Sequence, residues 1–239
     1  MNVLVIGDGC IDEYRYGSIR RVNPESTAPL LTFDRSIEKL GMAYNVAANL
    51  RALGVNTDIK VPANLSRKIR YVDKRTQGHL LRVDHDERAD RYKVESDESN
   101  YQYDAIVISD YNKGFVTDEV IKQLRHVYRG PIYMDTKKTN LKDFTGIYVK
   151  INEKEMLEST SLPDHNMLIV TYGSKGAKYL DKLYPVPPTE VVDVCGAGDV
   201  FLAALVAKHL ETSNMETAIK FANEKAAKSC TFMGTVCVS

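Results

Sequence analysis

The sequence has no excess of charge of either sign and no long apolar run. Its 239 residues contain 32 Lys and Arg against 32 Asp and Glu, so the formal net charge is zero. That balance disfavours a protein that works on nucleic acid or on a membrane surface. No run approaches the roughly 18 apolar residues of a membrane-spanning helix. The apolar stretch at the N-terminus lacks a basic segment and is too short for a signal peptide.

Cysteine and the common phosphate-binding motifs are also scarce. The four cysteines lack the spacing of a metal site or a disulfide framework, which predicts a reducing, cytoplasmic setting. No G-x-x-x-x-G-K-[ST] motif is present, so a P-loop does not hold any phosphate. The run that begins at Gly7 starts as G-x-G, but Asp12 occupies the place of the last glycine and no helical pattern follows. We therefore exclude a dinucleotide-binding site there.

The apolar residues that are present predict one α/β domain over residues 1–239. Short apolar runs predict strands, and periodic apolar faces predict helices between them. This alternation implies a mainly parallel sheet, and polar clusters at several strand ends would line one of its edges. The predicted strands are 3–6, 57–61, 105–109, 132–134, 147–151 and 168–171, and the predicted helices are one ending at Gly54, 117–128, 199–210 and 215–232.

Two segments lack a helical period and have the features of β-strands. They span about residues 13–40 and 68–87, and the second contains a hairpin signal with its turn at Gln77-Gly78. A helix separates the two segments in the chain. We expect them to form a small sheet that acts as a lid over the main domain.

The most informative stretch is the small-residue turn Gly196-Ala197-Gly198, followed by Asp199 and a predicted helix. Amides at a helix start favour an anion, and residues with almost no side chain let a ligand approach them closely. A carboxylate in such a turn repels the anion unless it has a chemical role. Asp199 fits a base that takes the proton of a hydroxyl attacking a bound phosphate. The alternative is an acidic residue that only complements the helix dipole.

Three further polar residues have two interpretations each. Asp12 follows the first strand and could accept hydrogen bonds from sugar hydroxyls, or belong to an ordinary polar loop. Asn45 could contact a ligand or cap its helix. Asn223 could face a nucleotide or be solvated.

These motifs resemble those of the ribokinase-like (PfkB) sugar kinases, over nearly the whole chain. Asp193 to Asp199 is similar to the D-T-G-A-G-D signature of that family. Within the family, the likeness is greatest to the kinase half of bifunctional heptose-phosphate kinase/adenylyltransferases. The other matching stretches are Gly7 to Asp12 with Tyr14, Tyr16 and Gly17, Asn23-Pro24-Glu25 with Pro29, Asn45 to Asn49 with Leu53-Gly54, Ser109-Asp110-Tyr111 with Lys113-Gly114, Asp135 with Lys137, Asn152 with Glu155, and Phe221 to Asn223.

The resemblance implies a ribokinase-like α/β fold, with a mainly parallel central sheet flanked by helices and a small β lid. It also implies a role for each matching residue. Asp199 would be the general base, with the amides of Gly196, Ala197 and Gly198 as the anion hole. The remaining implied roles are sugar binding by Asp12, Gly41 and Asn45, Mg²⁺ binding through water by Asn152 and Glu155, and nucleotide binding by Thr171, Gly173, Gly176 and Asn223. Lys113 and Lys137 are candidates for phosphate contacts, although a loop lysine is usually just solvated.

The implied activity is an ATP- and Mg²⁺-dependent sugar kinase of lipopolysaccharide synthesis. Its expected substrate is D-glycero-D-manno-heptose 7-phosphate, phosphorylated at O1, and its lid would pair two subunits into a homodimer. The alternatives are a kinase for another sugar or small molecule, or a weakly active nucleotide-binding regulatory protein. The chain departs from the family at Met42, where a second glycine is usual, and at Cys195, where threonine is usual. The segments 61–68 and 87–103 are shorter than usual, and no nucleotidyltransferase domain precedes Ser239.

Overall fold

The computed structural model describes residues 1–97 and 101–238 and has a large, mostly parallel sheet as its centre. Eight strands form this sheet among the described residues, in the order β12-β11-β10-β9-β8-β7-β1-β4. They are β1 (Asn2–Gly7), β4 (Asn56–Lys60), β7 (Ala105–Asp110), β8 (Ile132–Thr136), β9 (Ile147–Asn152), β10 (Leu168–Thr171), β11 (Ala177–Tyr179) and β12 (Lys182–Tyr184). The six strands predicted for this sheet are confirmed, and β11 and β12 form an additional antiparallel edge.

The centre of the sheet is buried on both faces, as its continuous apolar strands predict. Along β1, Val3 and Val5 pack into one hydrophobic cluster, and Leu4 and Ile6 pack into a second. Alternate residues of a strand point to opposite faces, so each cluster covers one side of the sheet. The fold class is therefore α/β, as predicted.

Five α-helices cover these faces in the described part of the chain. They are α1 (Ala43–Ala52), α2 (Asp118–Val127), α3 (Glu153–Glu158), α4 (Ala197–Thr212) and α5 (Met215–Ser229). α1 ends where Gly54 adopts a φ of +80°, which confirms the predicted glycine stop. The side chain of Thr117 caps α2, and α4 is buried over most of its surface. None of the helices in residues 1–97 and 101–238 combines the length and apolar character needed to cross a membrane.

A second sheet lies where the two β-like segments were expected. Its strands are β2 (Gly9–Val22), β3 (Pro29–Met42), β5 (Ser66–Asp73) and β6 (His79–His85), in the order β3-β2-β5-β6. The predicted turn at Gln77-Gly78 joins β5 to β6, and Gln77 adopts a φ of +57° there. We call this sheet the lid sheet, and its role as a lid stays a prediction.

Candidate active site

The small-residue turn begins α4, and its conformation requires glycine. Gly196 is the N-cap with a φ of +76°, and no side chain caps the helix. A Cβ at Gly196 would lie 2.7 Å from Nδ2 of Asn45, so any larger residue would push that side chain away. The amide of Ala197 donates to the carbonyl of Val194 at 3.3 Å, whereas no acceptor within the described residues meets the amide of Gly198. The turn therefore keeps a backbone donor available for an anion.

Asp199 lies in the first turn of α4 and is almost fully buried. Its carboxylate accepts a hydrogen bond from Nδ2 of Asn45 at 2.8 Å and another from the hydroxyl of Tyr111 at 3.1 Å. Burial and, to a smaller extent, the charge of Asp135 raise the pKa of Asp199 to about 6, against the lowering effects of Asn45, Lys150 and Tyr111. Above that pH the carboxylate is ionised and can accept a proton.

Asn45 orients this carboxylate instead of capping its own helix. No side chain caps the start of α1, so the capping interpretation of Asn45 was wrong. Asn49, one turn further along, donates to both the backbone oxygen and Oδ1 of Asn45, at 2.9 and 3.2 Å. The shared Oδ1 contact fixes the amide so that its NH₂ group faces Asp199. Sugar binding by Asn45 stays a prediction.

Met42, the N-cap of α1, has the backbone conformation that glycine favours. Its φ and ψ are +59° and −126°, and its side chain is buried. A residue with a side chain is strained at positive φ, whereas glycine is not. This explains physically why the family that the chain resembles usually has glycine at this position. The methionine here is held in a costly conformation directly before α1.

Asp12 lies within β2, so the polar-loop interpretation was wrong. It is buried, and Nη2 of Arg70 donates to its Oδ1 at 3.1 Å. A Cβ at Gly41 would lie 2.4 Å from Oδ2 of Asp12 and 2.9 Å from Sγ of Cys10, so a side chain there would displace this carboxylate. Asp12 and Gly41 are thus neighbours on the lid sheet, and their contact with a sugar stays a prediction.

The two candidate lysines are both paired with carboxylates. Lys113 forms an ion pair with Asp86. Lys137 forms one with Glu155, and its Nζ also lies 5.6 Å from the centre of the Tyr111 ring. Lys137 therefore lies beside Tyr111, which contacts Asp199. Lys113 instead pairs with a residue directly after the last strand of the lid sheet. Phosphate contact by either residue stays a prediction.

Asn152 and Glu155 form a capping box at the start of α3. The amide of Glu155 donates to Oδ1 of Asn152 at 2.9 Å, and the amide of Asn152 donates to Oε2 of Glu155 at 2.8 Å. The second oxygen of Glu155 accepts from Lys137. Across the described residues, no group of three His, Cys, Asp or Glu side chains could hold a metal ion. Each oxygen of Glu155 thus already accepts one hydrogen bond, and binding of Mg²⁺ through water by Asn152 and Glu155 stays a prediction.

The four predicted nucleotide residues lie around the end of β10 and the β12 edge. Thr171 ends β10, and Gly173 begins the short turn that follows, with a φ of +56°. A Cβ at Gly176 would lie 2.0 Å from the carbonyl oxygen of Tyr184. Nδ2 of Asn223 donates to that same oxygen at 2.7 Å, and Asn223 is buried, so its solvated interpretation was wrong. Contact of these residues with a nucleotide stays a prediction.

Cys195 occupies the threonine position of the family signature and is half-buried next to Asp193. Its amide donates to Oδ1 of Asp193 at 3.0 Å, and the amide of Gly234 donates to Oδ2 at 2.8 Å. Burial works to raise the pKa of Asp193, but these two amides outweigh it and hold the pKa below its usual value. Through these hydrogen bonds, Asp193 connects the segment that precedes the small-residue turn with the C-terminal segment at Gly234.

Sequence reasoning missed Lys150, a buried cation close to the turn. It lies on β9, and its Nζ is 2.7 Å from Oδ2 of Asp135 on β8. Its signal in the sequence is a single lysine inside the apolar run Ile147 to Ile151. Tyr111, which contacts Asp199, lies in a stretch that resembles the family, but the sequence predicts no role for it.

Comparison with known proteins gives a family and a fold. A model described as pfkB family carbohydrate kinase matches residues 44–238. The bifunctional protein HldE of Bradyrhizobium diazoefficiens is 27% identical over 300 residues, which include 99% of this chain. HldE of a second Bradyrhizobium strain is 28% identical over 301 residues, again with 99% of this chain. The chain spans 61% of the length of these two curated relatives.

Solved structures agree on the fold. Ribokinase from Thermotoga maritima matches with a TM-score of 0.68 and 17% identity, and the match covers 98% of this chain and 94% of that one. Ribokinase from Arabidopsis thaliana, solved with ribose and ATP, matches with a TM-score of 0.70 and 16% identity, and covers 97% and 93%. These likenesses show the ribokinase-like arrangement of sheet and helices.

Proposed function

The chain belongs to the pfkB family of carbohydrate kinases, phosphotransferases that act on an alcohol group, and we propose that it transfers the γ-phosphoryl group of ATP to a sugar hydroxyl. The observation that supports this reaction most directly is the position of Asp199. Its buried carboxylate lies three residues after Gly196, beside a backbone turn with an open donor. Phosphoryl transfer requires mainly positioning and charge stabilisation, which such a site provides.

In the proposed reaction, Asp199 takes the proton of the acceptor hydroxyl as its oxygen attacks the γ-phosphorus. Asn45 and Tyr111 hold the carboxylate through one hydrogen bond to each oxygen. The amide of Gly198 faces the negative charge that develops on the phosphoryl oxygens. Mg²⁺, when bound, neutralises charge on the ATP phosphates, and Asn152 and Glu155 would hold it through water.

The proposed acceptor is a sugar phosphate, D-glycero-D-manno-heptose 7-phosphate, phosphorylated at O1. Two observations support it: the likeness to HldE proteins and the basic face of the lid sheet. Lys68 and Arg70 lie two residues apart on β5, so their side chains share one face. That face meets the site, because Lys68 lies 5.4 Å from the Tyr111 ring and Arg70 pairs with Asp12. Cations on this face suit an acceptor with an anionic group.

A panel of sugars and sugar phosphates, heptose 7-phosphate included, tests this proposal. Each compound is incubated with ATP and Mg²⁺, and the position of the new phosphate is read from the product. We expect heptose 7-phosphate to become the 1,7-bisphosphate. Turnover with a different sugar alone would keep the kinase reaction and reject the heptose. ATP binding without turnover on any compound would favour the alternative, a nucleotide-binding regulatory protein.

We also propose that two copies pair through the outer face of the lid sheet. Phe33 and Leu81 are each more than half exposed there, and with Leu31 and Leu80 they line a groove of about 680 Å³. Exposed apolar patches of this kind often mark protein interfaces. We also propose a reducing, cytoplasmic compartment, which the spacing of the four cysteines in the sequence supports.

A further inference from the structure

Lys150 is a charged residue in a place where charge is costly. It lies near the end of β9 between the buried residues Val149 and Ile151, and only 5% of its side chain is exposed. Its partner, Asp135, is also buried, with 2.7 Å between Nζ and Oδ2. Removing two charges from water costs more than a single contact usually returns. Stability alone therefore does not account for this pair.

The ammonium group of Lys150 lies against the turn that precedes Asp199. A Cβ built on Gly198 would be 3.0 Å from Nζ of Lys150 and 3.9 Å from Oδ2 of Asp135. Any side chain at position 198 would therefore press on the ammonium group. The absence of a side chain there leaves the backbone donor and the buried cation next to each other.

The pair also retains unused hydrogen-bonding capacity. An ammonium group has three N–H donors, and Asp135 is the acceptor that the described residues supply for Lys150. Oδ1 of Asp135 is buried and has no hydrogen-bond partner within the same residues. Because a carboxylate oxygen only accepts, Oδ1 of Asp135 calls for a donor such as water, and it is the two unused N–H donors of Lys150 that suit an anion.

Lys150 remains positively charged in this setting. Burial works to lower its pKa, but the charge of Asp135 and the hydrogen bond to it outweigh that effect, and the pKa lies above its usual value. Glu155 and Asp199 act in the same direction. The site thus contains a permanent cation close to the proposed base.

We propose that Lys150 contacts the phosphoryl group during its transfer, and that Asp135 is the positioning residue that holds the ammonium beneath the Gly198 turn. This inference rests on the proposed kinase function. The bond from the γ-phosphorus to the bridging oxygen of ADP breaks, and a bond to the acceptor oxygen forms. The acceptor proton passes to Asp199. Lys150 keeps its proton and balances the negative charge of the three non-bridging oxygens.

The test removes the buried pair as a unit, so that no unpaired charge remains inside the protein. The double variant K150M/D135N is compared with K122M/D143N, which removes an exposed ion pair of 3.2 Å on the α2 side. Circular dichroism checks the fold, calorimetry gives the Kd for ATP and for ADP, and turnover is measured with the best acceptor of the panel. The ATP-to-ADP ratio of affinities needs no acceptor and reports on the γ-phosphoryl contact alone.

We expect K150M/D135N to lower kcat by at least about 10²-fold and the preference for ATP over ADP by at least about tenfold, with ADP affinity unchanged. K122M/D143N should match the wild type. If the double variant keeps both values within about threefold, a purely structural pair accounts for Lys150, and the inference is overturned while the kinase function stands. If the wild type does not bind ATP, both proposals fail.

Lys150→Arg provides a second test that does not depend on the stability of the double variant. Arginine keeps the charge and can still pair with Asp135. We expect this variant to keep its preference for ATP over ADP and to lose part of its turnover, because the longer side chain displaces the cation. Loss of the preference in Lys150→Arg would contradict a role based on charge.

Discussion

Replacing Asp199 with Asn should make the protein more stable as well as nearly inactive. An ionised carboxylate in a buried site destabilises the folded state, and this cost raises the pKa of Asp199 to about 6. The amide can keep both hydrogen bonds, because its oxygen accepts from Asn45 and its NH₂ group donates to the Tyr111 hydroxyl. The substituted side chain thus fills the same space without the charge.

The size of the effect follows from linkage between ionisation and folding. The pKa rises from the ordinary 3.8 to about 6 on folding, which corresponds to about 3 kcal/mol once the group is ionised in both states. Between these two pH values the folded state of the wild type binds more protons than the unfolded state. Its free energy of unfolding therefore falls as the pH rises through this window. The gain in free energy of unfolding of the Asn variant over the wild type should reach roughly half of its full size at pH 5 and its full size at pH 8.

Urea unfolding of the wild type and of Asp199→Asn at pH 5 and pH 8 measures this difference. Asp164→Asn is the control, because it removes an exposed carboxylate that caps no helix and leaves the buried site intact. We expect turnover of Asp199→Asn to fall by at least about 10²-fold with ATP affinity largely unchanged. A variant no more stable than the wild type at pH 8, or a gain of equal size at both pH values, would refute the assignment of a buried, ionised base.

Three further changes test neighbouring features. Tyr111→Phe removes a hydrogen bond that lowers the pKa of Asp199. The acid limb of the pH profile of kcat/KM, expected near pH 6, should therefore move to higher pH, and turnover at pH 8 should change little. Met42→Gly should be more stable than Met42→Ala, because both variants lose the buried side chain but only glycine relieves the backbone strain at a φ of +59°, worth about 1–3 kcal/mol. Thermal unfolding of both variants measures this difference. A more stable alanine variant would contradict the strain. Phe33→Asp with Leu81→Asp should reduce the proposed dimer to a monomer in analytical ultracentrifugation with its fold unchanged. An unaltered dimer would put the interface elsewhere, and a monomeric wild type would reject the dimer.

The parallel core was predictable because its strands are buried on both faces. A run such as Val3 to Ile6 has one interpretation in a chain that alternates strands with amphipathic helices. The edge strands β11 and β12 have three residues each and lie half in solvent, so they leave no apolar run to detect. The lid strands β2 and β3 have 14 residues each, but mixed exposure hides their alternation.

The N-x-x-E pair shows how one spacing can have two physical meanings. Asn152 and Glu155 stand three residues apart, which is the spacing of a capping box and also that of the family element that organises Mg²⁺. The structure contains the capping box, with reciprocal hydrogen bonds of 2.8 and 2.9 Å. The two meanings are compatible, so the capping hydrogen bonds and the ion pair of Glu155 with Lys137 leave Mg²⁺ binding through water a proposal.

The surroundings of Asp199 were the least predictable part of the site, because they come from strands far apart in the sequence. Tyr111 follows β7, whereas Asp135 and Lys150 reach the site through the parallel register of β8 with β9, in which Asp135 pairs with Lys150. Only the register places those two charges on the same face at the same level. Even so, a lysine inside an otherwise apolar strand conflicts with the local pattern, and such conflicts concentrate at functional sites. Lys150 was therefore detectable as an anomaly before the fold was known, although its partner and its ligand were not.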